Sequence, residues 1–352
     1  MLMREYDVVV VGGGPAGCMA AKYAAKRGVS TLIIEEDAEI GKPVQCAGLI
    51  SKRAIDESEL KRTSSINCEL KGAIIHSHSH EVRIESPSPE KRAFAIDRSV
   101  FDTELANEAQ KNGADVLVQR KVKGIKKGET RLTISTAGEE AISARVVIGA
   151  DGARSAVSKM AGMNVTKNFL NCVQLEGGYE IDENVAEIFV GKRIAPGFFA
   201  WTIPIDENNA RIGLCIDKRF SPHPNPLLFL KRNLAQHLVI AKRYKGGSSR
   251  YTAGRIPIPA GLLRRGGQTV RIGAGVGILL VGDAAAQVKP ITGGGVYYGM
   301  KCGKIAGTIA AKACLTGNMK VLKAYEKRWR KEIGREIAFG LKAHRLRCVM
   351  SD

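Results

Sequence analysis

Asp7-Val8-Val9-Val10-Val11-Gly12-Gly13-Gly14-Pro15-Ala16-Gly17 is the stretch on which the fold turns. Its first half is a run of β-branched residues, the composition of a short strand buried on both faces in a parallel sheet. Its second half is a glycine turn. Ala16 to Arg27 then reads as a helix rich in small residues, closed by Gly28. Thr31 to Ile34 is the next apolar strand and runs into Glu35 and Glu36. A bare G-x-G-x-x-G says little. Here it follows a strand, opens a helix and meets an acidic residue about 20 positions on, the setting that a dinucleotide site requires. Gly12 permits the tight turn, Gly14 lets the backbone approach a pyrophosphate, and Gly17 lets helix and strand pack closely. The helix start offers N–H groups to phosphate oxygens. Glu35 is placed to accept from ribose hydroxyls, with Glu36 the weaker choice.

Far downstream, Ile278-Leu279-Leu280-Val281-Gly282-Asp283-Ala284-Ala285 is a second buried strand, and it ends in Gly-Asp. That puts a carboxylate at the carboxyl edge of the sheet, where cofactors bind in open α/β folds. Gly293-Gly294-Gly295-Val296 then precedes another helix. An early G-x-G-x-x-G paired with a late Gly-Asp points to FAD rather than NAD. Ile148-Gly149-Ala150-Asp151-Gly152 is either a third cofactor junction or a plain strand-to-turn step. Between these segments the pattern changes twice to alternating strands with polar turns. The expected architecture is a doubly wound α/β cofactor domain in three pieces, 1–66, 97–166 and 256–318. An antiparallel-sheet substrate domain, 67–96 and 167–255, is inserted into it. A basic helical segment, 319–352, follows.

Hydrophobic residues make up 44% and charged residues 25% of the 352, as in a soluble globular protein, and no apolar run is long enough to span a membrane. Val8 to Val11 is too short for the core of a signal peptide. The chain reads as cytoplasmic. Its eight cysteines include no CxxC pair and read as free, mostly buried thiols in a reducing compartment. The net charge of +19 implies nucleic acid, an acidic membrane surface or an acidic substrate as partner, or else a solvated surface with none. With 5% aromatics and no nucleic-acid motif, stacking platforms and nucleic-acid binding are not expected.

Two patterns are set aside. His76, His78 and His80 alternate, and a solvated strand face explains them better than a metal site. Gly273-Ala274-Gly275-Val276-Gly277 mimics a nucleotide loop, but a strand follows it, so a hairpin turn is expected. Leu322, Tyr325, Trp329, Ile333, Ile337 and Leu341 recur at helical spacing in a stretch rich in Lys and Arg. They form either a basic amphipathic helix for an anionic membrane or a docked terminal helix with a solvated basic face.

The paired motifs resemble the glutathione-reductase-type flavoproteins, in the branch of para-hydroxybenzoate hydroxylase. Three further stretches narrow the resemblance. Lys42-Pro43-Val44-Gln45-Cys46-Ala47-Gly48 is similar to the PxxCGG motif of the geranylgeranyl reductases. Phe199-Ala200-Trp201-Thr202-Ile203-Pro204 with Gly213-Leu214-Cys215 resembles their aromatic-x-W-x-F-P…GxG substrate motif. Pro290-Ile291-Thr292-Gly293-Gly294-Gly295 fits them too. Among these reductases the likeness is greatest to archaeal members that act on glycerophospholipids. Three residues depart from the pattern: Ala47 for Gly, Ile203 for Phe and Cys215 for Gly.

The resemblance implies an FAD site lined by Ala16, Glu35, Cys46, Ala47, Gly48, Arg98, Asp283, Gly295 and Val296, with Val122 joining through its backbone. It implies a cysteine, Cys46, near the flavin ring with influence on the reaction. Phe199, Trp201, Pro204 and Gly213 would line the substrate channel. No metal is expected. The implied activity is FAD-dependent reduction of isolated C=C bonds in geranylgeranyl chains, with a prenylated phospholipid as substrate and peripheral contact with an anionic membrane. The electron donor is not legible; a ferredoxin-like carrier is one option. Two rivals stand beside this. Halogenases carry WxWxIP, one residue from Phe-Ala-Trp-Thr-Ile-Pro, so a flavin monooxygenase or halogenase is an alternative. A non-catalytic flavin- or nucleic-acid-binding protein is the other.

Overall fold

Val8, Val9 and Val10 are fully buried in the strand Arg4–Val11, which is flanked by parallel neighbours on both sides. The computed structural model describes residues 4–88, 92–137, 141–163, 165–221, 223–247, 251–263 and 269–349. The central sheet runs in the order Val270–Ile272, Gly277–Leu280, Ala141–Gly149, Arg4–Val11, Thr31–Ile34, Ala114–Leu117. Along this path every pairing is parallel except the first, a hairpin in which Ile272 faces Gly277, so Gly273 to Gly277 is the turn expected of it; Leu132–Thr136 and Val122–Lys127 extend the sheet from Ala141–Gly149 as antiparallel strands. The helices Pro15–Ala25 and Val296–Thr316 pack on one another over this sheet. Both begin at its carboxyl edge, as a doubly wound fold requires.

A second, largely antiparallel sheet runs Tyr244–Gly246, Phe169–Tyr179, Asn209–Asp217, Phe199–Pro204, Val185–Val190, Gly72–His76, Glu81–Glu85. Tyr251–Pro257 also pairs with Phe169–Tyr179. Strand alternation gives this sheet two different faces. Val173, Leu175, Ala200, Ile212 and Leu214 pack with Phe229 and Leu230 of the helix Pro226–Gln236. Leu170, Trp201, Ile203 and Cys215 face the other way, onto Ala47, Leu49 and Ala95. A small third sheet is made of Leu49–Ser51, Ala93–Ile96 and Ile66–Leu70, and two strands of the second sheet lie within its span of sequence.

Several expectations need correction. The stretch 167–255 was expected to hold antiparallel strands plus a loop over the proline-rich run 221–226, yet it contains the helices Pro226–Gln236 and Ile240–Arg243. The first starts where Asn225 accepts from the Leu227 N–H with Pro226 in the opening turn, a cap signature that the proline-rich run disguises. Pro222 of that run lies outside the described residues. His76 is not on a solvated face. It is buried, bonds Glu187 at 3.2 Å and stacks on Phe189, while the strand ends there and His78 and His80 fall in the turn beyond. Among the described residues no cluster suits a metal ion.

Two of the eight cysteines are not free: Cys172 and Cys215 form a disulfide. They face one another in register on adjacent antiparallel strands, with Cα atoms 4.0 Å apart, a pairing that their separation of 43 residues conceals.

Leu322, Tyr325, Trp329, Ile333 and Ile337 are buried against the cofactor sheet, so this stripe belongs to a docked helix, Lys323–Val349, and not to a membrane. Tyr325 Oη donates to the Leu280 carbonyl at 2.8 Å and Trp329 Nε1 to Thr269 Oγ1 at 3.1 Å. Among the described residues no helix is long and apolar enough to cross a membrane.

Candidate functional site

The glycine turn builds an open cradle. A side chain on Gly17 would put its Cβ 1.9 Å from the Gly12 carbonyl oxygen, so only glycine lets helix and strand approach this closely. Gly14 is different. Its φ of −71° is ordinary, no protein atom lies within 4 Å of where its Cβ would be, and no side chain caps the helix that it opens. This is a set of backbone donors facing empty space, the geometry that receives a phosphate. Glu35 is tied in: its Oε2 accepts from the Gly13 N–H at 2.7 Å and its Oε1 from the Asp37 N–H at 3.0 Å. Each oxygen keeps a lone pair for a further donor. Glu36 turns outward to Lys121 at 2.7 Å. Val122, buried, opens its strand just after the segment in which the Arg120 N–H donates to the Glu35 carbonyl at 2.8 Å.

Beside the start of the helix Pro15–Ala25, where a Cβ on Gly282 would lie 2.9 Å from Ala16 Cβ, Asp283 sits in the turn that follows the strand Gly277–Leu280. Its carboxylate has no hydrogen-bond partner among the described residues. Burial pushes its pKa up to about 6, against the opposing pull of Arg98. A Cβ on Gly295 would lie 2.7 Å from Asp283 Oδ1, which sets the start of the helix carrying Val296 against that carboxylate. Arg98 is not a surface charge. Its Nε and Nη2 grip Asp102 at 2.8 and 2.7 Å, and although burial opposes it, Asp102 and then Cys46 beside it hold the guanidinium's pKa up. The Asp151 carboxylate turns back on its own loop, accepting from Ser155 Oγ and from the N–H groups of Ala156 and Val157.

An unpaired, half-buried carboxylate whose pKa is raised implies a pH signature. Because its folded pKa lies above the usual 3.8, the folded state holds the proton longer than the unfolded one, and stability falls as pH rises from about 4 to about 6. Asp283→Asn should therefore stabilise the flavin-free protein above about pH 6, with the gain closing as pH drops toward 4. Urea midpoints of flavin-stripped protein at several pH values check this; a gain that stayed constant with pH would reject burial as its cause.

Cys46 and Ala47 lie over the second sheet. The Cys46 carbonyl accepts from Gln174 Nε2 at 3.0 Å, the Ala47 carbonyl from Arg211 Nη1 at 3.2 Å, and the Gly48 N–H lies 3.4 Å from Cys46 Sγ. Gln174, Gly213 and Trp201 stand in one row across three strands. Gly213 lets its neighbours close over it: a Cβ there would be 2.6 Å from both Gln174 Cβ and the Trp201 ring. Gln174 Oε1 and Trp201 Nε1 are buried here with no partner. Phe199 meets Trp201 edge-on, with ring centres 6.1 Å apart. The disulfide Cys172–Cys215 occupies the next row of the same face. Pro204 is not brought to this face; alternation sets it with Ala200 and Thr202 on the other.

Gln174, Arg211 and Asp102 were not singled out from sequence. Asp102 was within reach, since it stands four residues after Arg98 on a helix. Arg211 offered a weaker signal, a charge on the inward side of an apolar strand. Nothing in the sequence marks Gln174.

A phosphate cradle at one strand end and an unpaired carboxylate at another, beside an apolar sheet face, fit FAD, and the fold and site define an FAD-dependent flavoprotein. Residues 5–183 match the FAD binding domain family, and residues 169–246 match the geranylgeranyl reductase catalytic domain. Digeranylgeranylglycerophospholipid reductase 2 of Methanothermobacter thermautotrophicus is 33% identical over 99% of this chain and 89% of its own. The digeranylgeranylglycerophospholipid reductase of Methanothrix thermoacetophila is 35% identical over 94% and 85%. A geranylgeranyl bacteriochlorophyll reductase-like protein of Thermoplasma acidophilum superposes with a TM-score of 0.86 at 27% identity, covering 99% of this chain and 89% of that one. The chain belongs to the geranylgeranyl reductase family. It is an FAD-dependent oxidoreductase acting on C=C bonds. A flavin-dependent brominase, 20% identical with a TM-score of 0.71 over 92% and 85% of the two chains, shares the fold alone.

Proposed function

We propose that this protein reduces the isolated double bonds of geranylgeranyl chains on a membrane glycerophospholipid, with Cys46, Phe199 and Trp201 at the reacting end of the chain. The observation that carries this reading is the apolar face beneath the Cys46 loop, with Trp201 buried and Phe199 half-buried on the same side of the sheet as Gly213. FAD, when bound and reduced, supplies the hydride. Gly12, Gly14, Ala16 and Gly17 hold its pyrophosphate, Glu35 its ribose, and Asp283, Gly295 and Val296 the part toward the ring; Val122, Ala47 and Gly48 contribute backbone. Arg98 holds Cys46 in place from its fork on Asp102. An isolated alkene is not polarised, so a proton must reach one carbon as hydride reaches the other, and the chain must be held still and dry. The Cys46 thiol is positioned to give or guide that proton.

In this reading the cofactor unit is residues 1–66, 97–166 and 256–318, the substrate unit 67–96 and 167–255, and 319–352 the terminal segment. Electrons come from a separate donor, for which a ferredoxin-like carrier is a suitable test reagent, and the enzyme works at an anionic membrane face.

The test is a single half-reaction. The yellow protein is reduced with dithionite and mixed with unsaturated archaeal phospholipid; flavin reoxidation and a gain of two mass units per bond are expected. Oxygen or halogen in the product would replace this reading with the monooxygenase one. Lipid turnover absent beside salt-sensitive RNA or DNA binding would favour a nucleic-acid-associated protein. Cys46→Ala should slow the reoxidation step by about 100-fold, the low end for loss of a proton-transfer group, with flavin content unchanged. An unaltered rate in that variant would remove Cys46 from the chemistry.

A further inference from the structure

Large apolar side chains scattered singly on a surface need no explanation, but a cluster of them does. On the helix Lys323–Val349, Phe339 is 70% and Leu346 60% exposed. They are seven residues apart, with exposed Lys342 between them, so all three share one helical face. This face is distinct from the stripe that docks the helix. Two other segments meet the helix here. Gly340 abuts Pro290, a Cβ at Gly340 falling 2.8 Å from its ring, and Arg347 Nη1 donates to the Ile291 carbonyl at 2.9 Å; Ile291 is itself 38% exposed. Cys348 Sγ lies 3.5 Å from the Gly197 carbonyl, and a Cβ on Gly197 would be 3.0 Å from the ring of Phe220, 43% exposed.

The charge of this end is mostly positive, with buried Asp217 and exposed Glu336, which acts on Lys289, at its border. Residues 339–348, 218–220 and 289–293 contain Lys342, Arg345, Arg347, Lys218, Arg219 and Lys289, and no Asp or Glu. Arg219 is paired with Asp217 and Arg347 is held within the fold, whereas Lys342, Arg345 and Lys218 are exposed with no acidic partner among the described residues. The cluster also borders the substrate row. The Arg347 guanidinium lies 4.4 Å over the Phe198 ring and 5.7 Å over that of Phe199, the neighbour of Trp201.

We infer that Phe339, Leu346, Ile291 and Phe220, ringed by these cations, form the face by which the protein rests on an anionic bilayer, at the edge of the site that its lipid substrate must enter. Apolar side chains in the headgroup boundary together with Lys and Arg against phosphates are the two ingredients of such binding. The inference rests on the lipid reading for its purpose, but the contact is measured without turnover.

The flavin-loaded, full-length protein is sedimented with vesicles of phosphatidylcholine alone or with one third phosphatidylglycerol. Binding to the anionic vesicles, weakened at high salt, is expected. Phe339→Asp with Leu346→Asp should reduce it at least about tenfold, the equivalent of 1.4 kcal/mol, while flavin content and turnover of detergent-dispersed substrate stay unchanged. Val82→Asp with Ile84→Asp, on the exposed strand Glu81–Glu85, is the control and should bind as the parent does. Equal binding to neutral vesicles, full binding by the Phe339/Leu346 variant, or an equal loss in the control would overturn the inference. So would a parent that ignores vesicles and instead forms a dimer which the variant abolishes. Vesicle binding that survives while no prenyl lipid is reduced would sink the substrate reading and leave this face standing.

Discussion

Gly14→Ala is expected to fold as stably as the parent and to come off the column nearly colourless. The two halves of that result arise from one position. The Gly14 backbone already has a conformation open to any residue, and a methyl group there meets no protein atom within 4 Å. Replacing Gly by Ala at a permissive position is neutral or stabilises by about 0.4–1 kcal/mol through the unfolded chain. The space that the methyl group enters is the proposed seat of a pyrophosphate. If phosphate does sit there, the methyl group stands between phosphate and backbone, and flavin affinity should fall by about 100-fold or more, roughly 3 kcal/mol. Thermal unfolding of the stripped protein and flavin titration separate the two effects. Gly17→Ala cannot do so, because its Cβ would collide with the Gly12 carbonyl and the fold itself would suffer. Full flavin content in Gly14→Ala would show that the phosphates sit elsewhere.

Glu187→Ala should be the most damaging single change in the second sheet, although it lies on the face turned away from Cys46. Glu187 is fully buried and accepts from Thr202 Oγ1 at 2.7 Å and Tyr179 Oη at 3.1 Å; it also bonds His76 and pairs with Arg243. Truncation strands two buried hydroxyls and a guanidinium whose only acidic partner among the described residues is Glu187. Breaking a buried pair costs about 3–5 kcal/mol, and the lower figure applies because Arg243 partly reaches water. Glu187→Gln keeps the shape and should cost less, about 1–3 kcal/mol, for weakened hydrogen bonds. Urea midpoints order the three proteins. A truncated variant as stable as the parent would mean that water replaces the carboxylate, and that the network is not what holds the five segments together.

The cofactor half was legible because each of its signals is local. A valine run, a glycine turn and an acidic strand end lie within one βαβ unit, and a strand ending in Gly-Asp needs no partner to be recognised. The substrate half was legible only as a class. Trp201 and Gly213 could be named from a motif, but that Gln174 completes their row depends on register between strands far apart in sequence. The same is true of the Cys172–Cys215 disulfide and of His76, whose partner Glu187 lies 111 positions away. Periodicity revealed the stripe Leu322 to Ile337 without saying what covers it. The answer, the hydroxyl and carbonyl contacts of Tyr325 and Trp329, is tertiary. Helix Pro226–Gln236 was hidden by a neighbouring run of prolines that draws the eye to a loop.

Asp283 stands four fifths of the way along a chain of 352 residues, yet in the proposed flavin site it completes a seat begun at Gly12. During synthesis at about 5–20 residues per second, the first half of that seat waits roughly ten seconds to a minute for the second. In the proposed site, flavin therefore meets its full set of partners only after about four fifths of the chain has been made, and cofactor capture comes late in maturation.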